Sequence, residues 1–79
     1  IPDDFIVLNN KAWVLLELNK PNEALNTIDH ALKLRKAYPE ALDTKARILF
    51  KMKKYKEALK CSEESIKMVP NNNNNKITN

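Results

Sequence analysis

The sequence contains no glycine, although about 5 or 6 would be average for a chain of 79 residues. Without glycine, the backbone cannot form the glycine-rich loops that bind phosphates and dinucleotides. The Asn-Gly and Asp-Gly dipeptides of tight β-hairpins are missing for the same reason. Helix-favouring residues dominate instead, with only two Phe, one Trp and two Tyr as aromatics. The sequence therefore predicts one small, all-α domain.

Cysteine and long apolar runs are also scarce. Cys61 is the only cysteine, so no disulfide can form within the chain, and we expect a reducing, cytoplasmic compartment. No apolar run approaches the roughly 18 residues that a membrane span needs, so we expect no membrane partner. The chain starts at Ile1 instead of methionine, which indicates a processed or excised piece.

Residues for catalysis are equally few. His30 and Cys61 are the only histidine and cysteine, and a Cys–His nucleophile pair needs them in hydrogen-bond reach with a third orienting group. A surface histidine and a half-buried thiol that packs like a small apolar side chain are the simpler interpretation. No His, Cys, Asp and Glu cluster has metal-ligand spacing. We predict a protein without enzymatic activity, catalytic residues, metal or cofactor.

An internal repeat organises the chain. A shift by 34 positions superposes residues of the same type along most of the length. The identical pairs are Leu8/Leu42, Lys11/Lys45, Ala12/Ala46, Leu15/Leu49, Lys20/Lys54, Glu23/Glu57, Ala24/Ala58, Leu25/Leu59 and Lys33/Lys67. Most of the matched apolar positions fall at helical spacing, which a chance match of composition would not produce.

Each repeat unit divides at a short polar break into two amphipathic segments. The spacing predicts four helices, near residues 3–18, 21–36, 39–52 and 55–69. Breaks of two to four residues make the paired helices antiparallel. In the first helix, the apolar stripe that we expect to face inward comprises Val7, Leu8, Lys11, Ala12, Val14, Leu15 and Leu18.

A 34-residue helix-turn-helix unit with small residues at fixed places resembles the tetratricopeptide repeat. Ala24 and Ala58 match the small residue that opens the second helix, and Pro70 matches the closing proline. The resemblance implies an all-α fold of antiparallel helix-turn-helix repeats, an α-solenoid of about four helices. The implied organisation is the end of a preceding repeat or a lead-in (1–4), repeat 1 (5–38), repeat 2 (39–72) and a disordered Asn-rich tail (73–79).

The resemblance also implies a function. In this family, the first helices of successive units line a concave groove that holds a peptide or a partner helix. The corresponding partner-binding residues here are Asn9, Trp13, Glu17, Asp43 and Arg47. We therefore predict a non-catalytic protein–protein interaction module, a scaffold or adaptor. An alternative is a designed or excised repeat fragment with no partner of its own.

Two units are fewer than the three that a repeat array normally needs for a continuous core. No capping helix follows the second unit, so the outer face of the last helix pair should remain partly bare. We therefore expect either self-association through the uncapped faces or a longer parent chain with further units.

Charge is unevenly distributed along the chain. Residues 1–34 carry 3 basic and 5 acidic side chains, a net −2, whereas residues 35–79 carry 11 and 5, a net +6. The basic cluster at Lys51, Lys53, Lys54, Lys56 and Lys60 suggests an alternative function, a helical module that binds nucleic acid or an acidic partner. Few aromatic residues and one arginine lie nearby, so we favour a solvated surface.

The lack of glycine bears on the turn inside each unit. Asn19 and Lys53 occupy the position where the family has glycine. Asparagine adopts the left-handed conformation at modest cost, whereas lysine does so less readily. We therefore predict that the second turn is tighter or helical and not left-handed.

Overall fold

The computed structural model describes residues 4–68, and all of its regular structure in that range is helical. Two predicted features lie wholly outside these residues, namely the Asn-rich tail and the closing Pro70, and the predicted lead-in lies there except for its last residue. The observed helices begin and end within two residues of the predicted ones. They are α1 (Asp4–Glu17), α2 (Pro21–Leu34), α3 (Pro39–Lys51) and α4 (Tyr55–Met68).

The four helices form two antiparallel pairs, as the sequence predicts. α1 packs along α2, and α3 packs along α4. The pairs join because α3 lies against α2 and, over a shorter stretch, against α1. Within the described range α4 packs on α3 alone. The fold is therefore an all-α helical repeat in which α3, the first helix of the second unit, packs against the pair before it.

Both turns within the units use a left-handed residue, which corrects the prediction for the second turn. Asn19 and Lys53 each have φ of 64°. In the first turn, the amide of Asn19 donates to the carbonyl of Leu16 at 2.9 Å and that of Lys20 to the carbonyl of Leu15 at 2.9 Å. This is the Schellman pattern, which satisfies the last carbonyls of a helix.

The second turn repeats that pattern without asparagine. The amide of Lys53 donates to Phe50 at 2.9 Å, and that of Lys54 donates to Leu49 at 2.8 Å. The prediction was wrong because the two hydrogen bonds and the packing of the helix pair outweigh the steric cost of a left-handed lysine.

That cost gives a testable result. Replacing Lys53 with Gly should raise the free energy of unfolding by about 1 kcal/mol, since glycine takes φ of 64° without a Cβ clash. Chemical denaturation measures the change. Asn19→Gly is the matched control and should gain less, because asparagine tolerates the same conformation better. A Lys53→Gly protein that is less stable than wild type would contradict the steric argument.

Small residues fill the places where the helices meet. Ala12, Ala24, Ala31 and Ala41 are fully buried in one apolar cluster. Ile28 of α2 belongs to the same cluster and is also fully buried. Alanine at a crossing lets two helix backbones approach closely, and isoleucine then fills the space between them.

The link between α2 and α3, residues 35–38, packs against the start of α1. The sequence alone did not predict this contact. Tyr38 is buried, and its ring meets that of Phe5 edge-to-face with centroids 5.0 Å apart. The guanidinium of Arg35 lies 5.1 Å from the centroid of the same Phe5 ring. Aromatic pairs of this geometry stabilise beyond their buried area, so this contact helps to fix the second unit on the first.

The predicted inward stripe of α1 is partly wrong. Val7, Val14 and Leu18 are exposed, whereas Leu16, which was not in the stripe, is buried. α1 is apolar on two faces, and within the described residues only one of them has another helix against it. Periodicity alone predicts both faces to be core, because the sequence pattern does not show which neighbours are present.

Candidate protein-binding groove

An open groove with a volume of about 960 Å³ runs across α1, α3 and α4. Its floor is formed by small or buried residues, including Leu16, Ala46 and Ala58. Exposed aromatic rings and charged side chains form its sides. The lining residues outside the floor are Trp13, Glu17, Asn19, Asp43, Arg47, Phe50, Lys51, Tyr55, Leu59 and Ser62.

Four of the five predicted binding residues line this groove. Trp13 and Glu17 come from α1, and Asp43 and Arg47 come from α3. Each pair is spaced by four residues, so both members lie on one side of their helix. The structure therefore brings these four side chains to a common surface, while Asn9 is not among the lining residues.

Arg47 is positioned by two contacts. Its guanidinium carbon lies 5.2 Å from the centroid of the Trp13 ring, and its Nε donates to Asp43 Oδ2 at 3.4 Å. Both members of the ion pair are more than half exposed, and such pairs contribute little to stability. A cation over an exposed indole ring contributes about 0.5–1 kcal/mol. Arg47 is thus oriented over Trp13 but remains free enough to meet an anionic group.

Trp13 keeps 37% of its surface exposed beneath that guanidinium. It is therefore neither a core residue nor a fully free side chain. Phe50 and Tyr55 form a second aromatic patch of the groove, with ring centroids 5.2 Å apart and an edge-to-face arrangement. Exposed aromatic rings beside charges are the composition typical of protein-binding surfaces.

Asn9 is oriented towards the link instead of the groove. It is half-buried, and its Oδ1 is buried with no hydrogen-bond partner among residues 4–68. Burial raises the pKa of Tyr38, with Glu40 adding to the rise, while a hydrogen bond from the Asn9 side chain and the charge of Arg35 lower it. The predicted set therefore divides into four groove residues and one residue beside the buried tyrosine.

α4 contributes groove residues that the sequence analysis did not identify, namely Tyr55, Leu59 and Ser62. They were missed because the resemblance assigns the concave surface to the first helix of each unit. The signal that could have found them is the apolar and small residues on this side of α4, which has no other helix than α3 against it within residues 4–68.

An ion pair joins the two units away from the groove. Lys45 Nζ lies 2.8 Å from Asp29 Oδ1, so a side chain of α3 bonds to one of α2. Burial alone would lower the pKa of Lys45. The hydrogen bond and charge of Asp29, helped by Cys61 and Glu57, outweigh burial, and the pKa is raised. This ion pair is therefore a polar contact between the first unit and the second.

The two residues considered for nucleophilic chemistry lie on different units. His30 is exposed on α2, and Cys61 is half-buried on α4. Burial raises the pKa of the Cys61 thiol, with Lys45 opposing and Glu64 adding to the rise, so the thiolate is disfavoured. Among the residues that the structure describes, no group of three or more His, Cys, Asp or Glu could hold a metal ion.

The five lysines of the basic cluster are all exposed, around the turn between α3 and α4. Only Lys51 reaches the groove. The alternative of nucleic-acid binding through Lys51, Lys53, Lys54, Lys56 and Lys60 stays a prediction.

Paired antiparallel helices that recur at the constant spacing of the repeat define a tetratricopeptide-type helical repeat protein. The chain also matches a family model over residues 2–65, that of the anaphase-promoting complex, cyclosome, subunit 3, and it belongs to this family. No curated protein and no solved structure matches the chain. Repeats of this type mediate protein–protein interactions and typically act as non-enzymatic scaffolds. Within residues 4–68, no helix is long and apolar enough to cross a membrane.

Proposed function

We propose that this protein is a non-catalytic adaptor that holds a segment of a partner protein in the groove between α1 and α3. The observation that carries the proposal is the assembly of Trp13, Glu17, Asp43 and Arg47, from two separate repeat units, on one concave surface. Asn9 lies outside that surface, so we leave it out of the proposed contact set.

The chemistry of the groove indicates what the partner segment carries. The Trp13 and Phe50 rings offer apolar area to an aromatic or aliphatic side chain. Arg47 and Lys51 offer positive charge to a neighbouring carboxylate, and a guanidinium can bind one in bidentate fashion. We expect the partner segment to combine one large apolar residue with one acidic residue nearby.

The family suggests the setting in which the groove works. Its model describes a subunit of a multi-subunit complex, the anaphase-promoting complex, cyclosome. We propose that the partner is a protein of such an assembly and that binding occurs in the cytoplasm, a reducing compartment that suits a lone half-buried cysteine.

A pull-down from cell extract tests the groove, with wild type compared against Trp13→Ala and Arg47→Glu. We expect both variants to lose the same bound proteins, and titration of a peptide from such a protein to show about tenfold weaker binding by Trp13→Ala. A truncated interface anchor that loses about 1.4 kcal/mol of binding free energy weakens binding tenfold.

Two matched variants control for nonspecific effects. Leu34→Ala truncates an exposed apolar residue outside the groove, and Lys33→Glu reverses an exposed charge on α2. Both should bind as wild type does. Equal partner binding by Trp13→Ala and wild type would exclude the groove as the binding site. The nucleic-acid alternative would be favoured instead if the wild-type protein binds short RNA at physiological salt, Lys54→Glu abolishes this binding and Trp13→Ala preserves it.

A further inference from the structure

The repeat lets each face of one unit be compared with the equivalent face of the other unit. α3 covers one face of the first unit, and Leu16 there is 8% exposed. Its equivalent Phe50 is 63% exposed. Leu25 and Leu32 pack against the core, whereas their equivalents Leu59 and Ile66 are 61% and 67% exposed. We call these three exposed residues of α3 and α4, Phe50, Leu59 and Ile66, the tail face.

A second uncovered face lies on α1. Ala41 and Ile48 of α3 are fully buried in the cluster that includes Ile28 of α2. Their equivalents on α1 are Val7 and Val14, which are 61% and 56% exposed. We call the exposed side of α1 that carries Val7 and Val14 the head face. The chain thus carries both halves of the contact that already exists once between its own two units.

The charges of the two faces are complementary in the same register. Lys45 on α3 bonds to Asp29 on α2 at 2.8 Å. The equivalents are Lys11, on α1 and exposed, and Glu63, on α4 and exposed. A head face can therefore lie on a tail face in the same way as the second unit lies on the first. In that arrangement the Lys11 ammonium group meets the Glu63 carboxylate.

From these correspondences we propose that the tail face of one molecule binds the head face of a second copy, with α1 of the second copy seated as α3 is seated on the first unit. Lys11 of the incoming copy then pairs with Glu63 of the receiving copy. This interaction goes beyond the groove function, and its surfaces share only Phe50 and Leu59 with the groove.

The charged groove side chains and Trp13 stay accessible in such an assembly. Trp13 and Glu17 remain exposed although α3 lies beside them, and Arg47 and Lys51 are their equivalents. Binding of a second copy therefore covers Phe50 and its neighbours on α4 and leaves the charged part of the groove open. The two proposals can fail independently.

The two faces differ, so the interface is head-to-tail. Each added copy presents a free face again, and such an interface gives open chains unless its rotation closes a ring. We expect sedimentation of the wild-type protein to show species larger than a dimer as the concentration rises from micromolar to millimolar.

Two exposed-site variants test the polarity. Val14→Glu blocks the head face, and Leu59→Glu blocks the tail face. Each variant alone should remain monomeric. A mixture of the two should form a 1:1 dimer and no larger species, because one intact head and one intact tail remain.

The ion pair has its own test. Lys11→Glu and Glu63→Lys should each weaken association by about 2- to 5-fold, the range of exposed pairs, and the double variant should recover it. A wild-type protein that stays monomeric at millimolar concentration would overturn the proposal. Dimers formed by either blocked variant alone would overturn it too, since they would show a symmetric interface.

Discussion

We expect Ile28→Ala to lower the free energy of unfolding by about 2–5 kcal/mol, the range measured for buried isoleucine truncations. Ile28 is fully buried on α2, in the cluster where α1, α2 and α3 meet. Truncation removes apolar contacts and leaves a cavity that three helices would have to move to close. Urea denaturation followed by circular dichroism measures the change.

Ile66→Ala is the matched control for this prediction. The residue type and the change are the same, but Ile66 is exposed on α4. Surface substitutions usually change stability by no more than about 0.5 kcal/mol. If Ile28→Ala fails to fold, Ile28→Val provides the measurement, with an expected loss of about 0.5–1.5 kcal/mol. Losses of no more than about 0.5 kcal/mol at both positions would show that Ile28 is not a core residue in solution.

We expect Ala24→Leu to lower the free energy of unfolding by about 1–3 kcal/mol through overpacking. Ala24 has no exposed surface and lies near the start of α2, in the same buried cluster as Ala12 of α1. A leucine side chain at this position has no free volume to enter, so the helices must separate or the side chain must leave its preferred rotamer. The melting temperature should fall accordingly.

Ala58→Leu gives the comparison that isolates the cause. Ala58 is the equivalent residue of α4, but it lines the open groove, where the longer side chain can turn into free space. We expect Ala58→Leu to lower the free energy of unfolding by less than Ala24→Leu does. A loss at Ala58 as large as that at Ala24 would mean that the helix pairing within each unit sets the cost, and not the additional layer formed by α3.

The fold was predictable because its determinants are local and repeated. Nine identical pairs at one constant spacing set the register of the four helices, and short breaks made each pair antiparallel. The left-handed conformation of Lys53 was not predictable from residue preference. It results from the Schellman hydrogen bonds and the packing of α3 on α4, and both depend on the folded pair.

The groove was predictable only in part. Trp13 and Arg47 occupy equivalent positions of two first helices, so the register alone placed them on one surface. The contribution of Leu59 and Ser62 depends on how α4 lies against α3, and the orientation of Asn9 depends on Tyr38 between α2 and α3. The ion pair between Lys45 and Asp29 depends on the angle at which the units stack, which periodicity does not contain.

The position of Trp13 has a practical consequence for studying this protein in solution. It is the only tryptophan of the chain, and it lies in the groove beneath the Arg47 guanidinium. Its fluorescence therefore originates at the proposed binding surface, with no second indole to obscure the signal. A ligand that displaces Arg47 from the ring changes the environment of the indole, so emission spectra can follow occupancy without any attached label.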